Sequence, residues 1–187
     1  NAIARSYTFV KVVEERLERG KGAALRAGFK EAKGDYIIML DADYSHIVED
    51  IKKFIEKLEQ GAMLVIGSRH IGGSGEYTLV RAFGNRFLTL TFIVLWGVKV
   101  TDVLNGYKAF KKQVVKNYDY TSRSYEIELE LVAHALQEGG PLVEIPSYER
   151  ARAGGEMKSK ALRDGFKFLK AIIKWGLKYR FGILTKK

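Results

Sequence analysis

The chain has 187 residues and no cysteine, which excludes disulfide bonds, thiol catalysis and zinc–thiolate sites. Its length predicts one domain, with at most a small appendage, and is sufficient to bury a core. The 32 basic and 22 acidic residues give a net charge of +10. This excess predicts a polyanionic partner, such as nucleotide phosphates, nucleic acid or an anionic membrane surface.

The first thirty residues predict a helix end, a strand and a second helix. Residues 2–5 have helical character, residues 7–13 are rich in β-forming residues, and residues 23–33 have helical apolar spacing. Because the chain opens at Asn1 inside helical sequence, we expect an N-terminal part of the natural protein to be absent. The Gly-Lys-Gly turn around Lys21 predicts an anion site at a helix start, or equally an ordinary strand–helix turn.

Residues 36–46 form the most informative stretch. Four apolar residues predict a buried strand, and two carboxylates, Asp41 and Asp43, follow where that strand ends. Ligands of α/β proteins bind at the carboxyl ends of strands. A divalent cation such as Mg²⁺ or Mn²⁺ relieves the repulsion between neighbouring carboxylates. The alternative is that both aspartates only cap the helix predicted from Ile47.

Further helices and strands alternate along the rest of the chain, which predicts an α/β fold with a mostly parallel sheet flanked by helices. Arg69 follows a strand end, where an arginine fork can bind phosphate, and residues 70–76 predict a mobile glycine-rich loop. A predicted helix carries Glu126, Glu128 and Glu130; such glutamates are usually solvated, but one that points into a site can act as a base. The further predictions are helices over 47–58 and 124–136, strands over 62–66 and 142–145, and a turn followed by a strand within 101–110.

Two apolar segments predict helices near a membrane. Residues 87–96 are too few for the ~20 residues of a spanning helix, so they predict a core helix or an interfacial one. Residues 162–181 predict an amphipathic basic helix, either on a membrane surface through Phe166, Ile173 and Trp175 and its lysines, or packed on the domain. We assign residues 1–157 to the main domain and residues 158–187 to this C-terminal element.

An ordered series of short motifs covers essentially the whole chain. The motifs are Gly-Lys-Gly-Ala-Ala-Leu-Arg-Ala-Gly at 20–28, Asp-Ala-Asp-Tyr-Ser-His at 41–46, Gly-Ser-Arg at 67–69, Asp-Val-Leu-Asn-Gly-Tyr-Lys at 102–108, Glu-Ile-Pro at 144–146 and Arg-Ala-Gly-Gly-Glu at 152–156. The series resembles the family 2 glycosyltransferases, and among them the polyprenyl-phosphate (dolichol-phosphate) mannose or glucose synthases. The resemblance implies a GT-A fold, a Rossmann-like α/β domain that binds a nucleotide sugar.

The resemblance also implies roles at the donor. Asp41 and Asp43 match the pair that holds a divalent metal, Mg²⁺ or Mn²⁺, on the diphosphate of a GDP-mannose or UDP-glucose type donor, with Asp43 also counted as catalytic. Lys21 joins the donor-binding set. Ser45 stands where this family usually has a glutamine as a further metal contact. The family's N-terminal motifs, Pro-x-Tyr-Asn-Glu and Asp-Asp-Gly-Ser, are missing here, and these bind the nucleotide base.

At the acceptor, Arg69 and Arg81 match arginines that receive the phosphate of a polyprenyl acceptor. Arg152 lies in a loop that matches one closing over the site, although extra residues make it hard to distinguish from Arg150. These likenesses imply a metal-dependent, inverting transfer of a hexose to a polyprenyl phosphate. We expect a peripheral protein on the cytoplasmic face of a membrane.

Two other functions stay open. One is transfer to a sugar hydroxyl in polysaccharide or glycolipid synthesis, which needs a base such as Glu126 or Glu128. The other is a non-catalytic domain that binds polyanions or membranes through its charge. The sequence has no stacking-aromatic pattern or recognition helix, so we expect no nucleic acid partner.

Overall fold

The computed structural model describes residues 2–14, 18–75, 78–151, 153–154, 161–184 and 186. In these ranges helices and strands alternate through most of the chain. The helices are α1 (Ala2–Arg5), α2 (Lys21–Glu31), α3 (Ile51–Glu59), α4 (Arg69–Gly72), α5 (Leu79–Trp96), α6 (Gln113–Lys116), α7 (Ile127–Gln137) and α8 (Ala161–Arg180), and the strands are β1 (Tyr36–Met39), β2 (Leu64–Ser68), β3 (Lys108–Lys111) and β4 (Leu142–Pro146).

The four strands form one sheet in the order β1-β3-β2-β4. β2 and β4 pair in parallel, whereas β3 runs antiparallel to both β1 and β2. Three of the four strands therefore share one direction, in agreement with the predicted mostly parallel sheet. Because Lys108, the first residue of β3, pairs with both Met39 and Ile66, the residues just before β3 lie at the carboxyl ends of β1 and β2.

Helices cover both faces of the sheet. Successive side chains of a strand point to opposite faces, so each strand contributes to the core on both sides. In β2, Leu64 and Ile66 belong to the larger core with α5, α7 and α8, whereas Val65 belongs to a smaller core with α3. The layers are therefore helix, sheet and helix, as predicted for an α/β domain. This arrangement leaves the strand ends, rather than the strand faces, for a ligand.

Two predicted elements differ from the structure. The strand over residues 7–13 is wrong: Phe9 is 84% exposed, and no described strand pairs with this stretch. An extended segment without a neighbouring strand lacks partners for its N–H and C=O groups. Part of the predicted loop over 70–76 is the short helix α4, at whose start the Ser68 hydroxyl accepts a hydrogen bond from the N–H of Ile71 at 3.4 Å.

One face of α8 belongs to the core. The indole Nε1 of Trp96 on α5 donates to the carbonyl of Ile172 at 2.9 Å, and Trp175 is 2% exposed. The predicted membrane contact of Trp175 is therefore wrong, because its ring lies inside the protein. Phe166 is 67% exposed and Ile173 42%, so these two side chains face outward as expected. The division of the chain at residue 157 stays a prediction.

Helices α5 and α8 approach closely at a glycine, which gives a stability prediction. A Cβ at Gly176 would lie 2.4 Å from Trp96 Nε1, whereas one at Gly165 in the same helix would meet nothing within 4 Å. We expect Gly176→Ala to lower the free energy of unfolding by about 1–3 kcal/mol through overpacking. The matched Gly165→Ala should raise it by roughly 0.5–1 kcal/mol. Urea denaturation of both variants checks this, and equal stability would contradict the close packing.

Candidate active site

Polar side chains meet at the carboxyl ends of β1 and β2. Lys21 lies at the start of α2, Asp41 and Asp43 follow β1, and Glu128 comes from the first turn of α7. Lys108 starts β3 between these strands. These side chains lie where the Asp41 strand ends, and their function as a site stays a prediction.

Lys21 connects two carboxylates. Its Nζ lies 3.1 Å from Asp41 Oδ1 and 2.8 Å from Glu128 Oε1. Glu128 Oε2 in turn lies 3.3 Å from Nζ of Lys108, a side chain with no exposure, which also donates to the backbone carbonyl of Asn105. A Cβ at position 106 would lie 2.9 Å from Lys21 Nζ, so a side chain there would require the Lys21 ammonium to shift.

The cluster keeps its carboxylates ionised. The imidazole of His46, whose Nε2 lies 3.8 Å from Asp41 Oδ2, and then the Lys21 ammonium hold the pKa of Asp41 well below its usual range. Burial opposes the ionisation of Glu128, but Lys21 and Lys108 outweigh it and lower the pKa of Glu128. Burial also opposes the charged form of Lys108 and lowers its pKa. At neutral pH the site therefore presents charged oxygens.

Hydrogen bonds to the side chain and the backbone of Asp43 hold the turn after Asp41. Asp43 Oδ1 accepts hydrogen bonds from the Ser45 N–H at 3.1 Å and the Ser45 hydroxyl at 2.6 Å, and Tyr44 between them has a φ of 70°. The N–H of Arg150 donates to the Ser45 carbonyl at 2.8 Å, and the N–H of Ala153 donates to the Asp43 carbonyl at 3.2 Å. The segment that follows β4 therefore lies against the carboxylate turn.

Asp41 and Asp43 fit a divalent cation. Both supply hard oxygen ligands, which Mg²⁺ and Mn²⁺ prefer, and the Asp41 side chain is 44% exposed, within reach of a ligand from solvent. In the part of the chain that the structure describes, no group of three or more His, Asp and Glu side chains could hold a metal, so further ligands would come from elsewhere. Ser45 is buried and orients Asp43 in this structure; its own contact with a metal stays a prediction.

The guanidinium of Arg69 lies between two carboxylates. Its Nε and Nη2 donate to Asp102 at 2.6 and 2.9 Å, and Nη1 donates to Glu149 at 3.4 Å. Asp102 is completely buried, and its N–H and that of Thr101 donate to the Glu144 carboxylate at 2.9 and 2.7 Å. A chain of partly buried hydrogen bonds therefore fixes the direction of the Arg69 side chain.

The structure gives fewer contacts for the other predicted arginines. Arg81 lies in the first turn of α5, where its N–H donates to the Thr78 hydroxyl at 3.4 Å. Arg152 lies outside the described residues. Arg150 is described, and its guanidinium carbon lies 5.0 Å from the centre of the Tyr44 ring beside the carboxylate turn. The predicted acceptor roles of Arg69, Arg81 and Arg152 remain predictions.

The ion cluster predicts how stability depends on pH. A carboxyl group whose pKa is lower in the folded than in the unfolded state stabilises the fold above its ordinary pKa, and loses this as pH falls. The pKa values of Asp41 and Glu128 lie below their ordinary 3.8 and 4.5. We therefore expect the free energy of unfolding to fall from about pH 5 downward.

Urea denaturation between pH 7 and pH 3 measures this dependence. The Asp41→Asn variant should lose part of the acid sensitivity, whereas Asp35→Asn, an exposed aspartate at the other end of β1, should keep all of it. If the free energy of unfolding fell equally with pH in the wild type and in Asp41→Asn, Asp41 would not contribute to the acid sensitivity.

The helix–sheet–helix layers, with two carboxylates at a strand end, agree with the GT-A type domain that the resemblance implies. A solved structure with this fold is glucosyl-3-phosphoglycerate synthase of Mycobacterium tuberculosis, at a TM-score of 0.61 and 18% identity, over 88% of this chain and 56% of that one. The family model described as glycosyl transferase family 2 matches residues 1–119. The chain therefore belongs to glycosyl transferase family 2.

Two curated relatives resemble this chain over most of its length. The dolichol-phosphate mannosyltransferase of Pyrococcus furiosus is 30% identical over 175 residues, which cover 89% of this chain and 48% of the relative. The polyprenol monophosphomannose synthase of Mycolicibacterium smegmatis is 30% identical over 186 residues, which cover 91% of this chain and 67% of the relative. The chain thus spans about half the length of the first relative and two thirds of the second.

Proposed function

We propose that this protein transfers a hexose from a nucleotide sugar to a polyprenyl phosphate, such as dolichyl phosphate, with inversion. The observation that carries the proposal is the pair of aspartates after β1, with Lys21 between Asp41 and Glu128, at the sheet edge that also carries Arg69. The names of the two curated relatives support the same reaction class.

The donor half of the reaction needs charge stabilisation. A nucleoside diphosphate leaves with growing negative charge, and a divalent metal held by Asp41 and Asp43 would offset that charge electrostatically. Lys21 adds a cation beside Asp41, with its Nζ 3.1 Å from Oδ1. On donor binding we expect the Lys21 ammonium to move toward the diphosphate, while Glu128 keeps it near the site. The structural neighbour was solved with Mn²⁺ and UDP-glucose, which supports a nucleotide-sugar donor of this type.

The acceptor half favours a phosphate over a hydroxyl. A phosphate monoester is already ionised near neutral pH, with a second pKa of about 6, so it needs orientation rather than a base. A hydroxyl acceptor would need a base, but two lysines hold Glu128 and lower its pKa. Such a carboxylate accepts protons poorly. Glu128 is therefore a poor base, which leaves Glu126 as the other predicted base that a hydroxyl acceptor could use.

Product analysis tests this function. The protein is incubated with GDP-mannose or UDP-glucose and Mn²⁺, with a polyprenyl phosphate in one arm and an oligosaccharide in the other. We expect a polyprenyl-phosphate sugar in the first arm. Transfer to the oligosaccharide alone would support the hydroxyl alternative, and no sugar transfer from any donor would favour a non-catalytic polyanion-binding domain.

Two helices support a location at a membrane surface. The exposed apolar residues of α5 recur at alternating intervals of three and four, at Val80, Phe83, Phe87, Leu90 and Val94. This spacing forms one continuous apolar stripe along the helix. Helix α5 has 18 residues and is longer than the apolar segment predicted over 87–96, so by length and composition alone it could also cross a membrane, although core helices pass the same test. Only 22% of its residues are buried. A lipid acceptor requires the site to lie near such a surface.

The C-terminal helix adds charge to this proposal. Lys167, Lys170 and Lys174 are exposed beside Phe166 and Ile173, and each lysine near an anionic surface contributes roughly 1 kcal/mol, screened by salt. We expect the protein to sediment with anionic liposomes, and less so in high salt. Replacing Lys167, Lys170 and Lys174 by Gln should reduce binding about tenfold or more. Equal binding to neutral and anionic liposomes would contradict this electrostatic contribution.

A further inference from the structure

We infer that Glu149 is an internal counter-ion of Arg69, and that the acceptor phosphate must displace it in order to bind. Glu149 would thereby select against phosphates that bring no further binding energy. The inference rests on the proposed function, because it assumes that Arg69 receives the acceptor phosphate.

The two carboxylates that contact Arg69 differ in strength of attachment. Asp102 has no exposure and receives three hydrogen bonds from Arg69, two from the guanidinium at 2.6 and 2.9 Å and one from the backbone N–H at 3.0 Å. Glu149 receives one at 3.4 Å, and its side chain is 17% exposed. Asp102 is therefore the permanent partner that orients the arginine, and Glu149 is the exchangeable one.

Glu149 has a second partner that can hold it after displacement. The Ser74 hydroxyl donates to Glu149 Oε2 at 2.6 Å, whereas Oε1 faces Arg69. The backbone fixes the same position, because the Glu149 N–H donates to the Gly73 carbonyl at 3.1 Å and the Gly75 N–H donates to the Glu149 carbonyl at 2.8 Å. We expect the Glu149 side chain to leave Arg69 by a change of rotamer, while these backbone hydrogen bonds stay in place.

Displacement of Glu149 opposes phosphate binding. A phosphate monoester carries a charge of about −1.5 to −2 near neutral pH, and it would approach a guanidinium that already faces two carboxylates. Free phosphate can compete with Glu149 only through its charge. A lipid phosphate also has an apolar chain, whose burial contributes roughly 0.8 kcal/mol per CH₂ group. Glu149 would therefore lower the affinity for every phosphate, but leave only the lipid form tightly bound.

The substitution Glu149→Gln tests the inference because it removes the charge and keeps the shape. Isothermal titration of the full chain with farnesyl monophosphate, and separately with inorganic phosphate, measures both affinities. We expect Glu149→Gln to tighten both by about tenfold, and Ser74→Ala to have a smaller effect. Glu59→Gln, an exposed glutamate on α3, changes the net charge equally and should leave both affinities unchanged. Circular dichroism shows whether each variant is folded.

The arginine itself supplies the remaining control. In an Arg69→Lys background the gain from Glu149→Gln should shrink, since the lysine ammonium cannot form the same fork. Unchanged or weaker binding by Glu149→Gln, with binding still dependent on Arg69, would overturn the role of Glu149 alone. Binding that depends on neither residue would overturn the acceptor site proposed for Arg69 as well. An equal gain for inorganic phosphate and farnesyl monophosphate is the expected result, because the displacement of Glu149 lowers the affinity for both, and a gain for only one of them would contradict the inference.

Discussion

Replacing Asp43 by Asn is expected to reduce sugar transfer at least about 10³-fold, because one charged ligand of the proposed metal is lost at the point where the diphosphate gains charge. The fold should survive this change. Asp43 Oδ1 accepts hydrogen bonds from the N–H and hydroxyl of Ser45, and the amide oxygen of Asn accepts the same two. The variant therefore separates the charge of residue 43 from its part in the turn.

Initial rates with saturating nucleotide sugar and polyprenyl phosphate, over a range of Mn²⁺ concentrations, measure this effect. The matched control is Asp35→Asn, the same chemical change at the opposite end of β1, which should retain wild-type rates. Urea denaturation of both variants shows whether stability is preserved. Wild-type activity with unchanged metal dependence in Asp43→Asn would exclude the proposed metal site.

Local sequence patterns predicted the part of the site that lies on one segment. Asp41 and Asp43 could be found because an apolar strand precedes them directly, and the strand positions that follow agree with the structure to within two or three residues. The exception is the stretch over residues 7–13, where composition favours a strand but no described strand pairs with it. Strand formation depends on a neighbour, which local composition does not contain.

The partners of these aspartates could not be predicted in the same way. Lys108 ends the motif at 102–108 and has no predicted role in the site, yet its side chain has no exposure. Its burial depends on Glu128, a residue 20 positions away that the sequence left open as solvated or functional. Similarly, Glu149 reaches Arg69 across 80 positions. Such pairs follow from the antiparallel insertion of β3 and the course of the chain after β4, which no motif encodes locally.

Glu128 is therefore the residue whose loss should most affect the stability of the site. Lys108 is completely buried, with Glu128 as its carboxylate partner at 3.3 Å. Removing one member of a buried ion pair typically costs about 3–5 kcal/mol, because the other charge is left without compensation. We expect Glu128→Gln to lower the free energy of unfolding at pH 7 by this amount. The loss of Glu128 should destabilise the Lys21 ammonium less than that of Lys108, because Lys21 keeps Asp41 as a partner at 3.1 Å and is partly exposed.

The pH dependence identifies Lys108 as the cause. Burial already lowers the pKa of Lys108 below its ordinary 10.5, and loss of Glu128 lowers it further. Between the folded pKa and 10.5 the unfolded chain binds more protons, so the stability of Glu128→Gln should rise with pH and approach that of the wild type. Adding Lys108→Met should restore most of the stability at pH 7, since an apolar side chain of similar length carries no charge to compensate. Urea denaturation at pH 7 and pH 9.5 measures all three proteins. A loss below about 1 kcal/mol in Glu128→Gln, with no change between the two pH values, would mean that Lys108 does not depend on Glu128 for its charge.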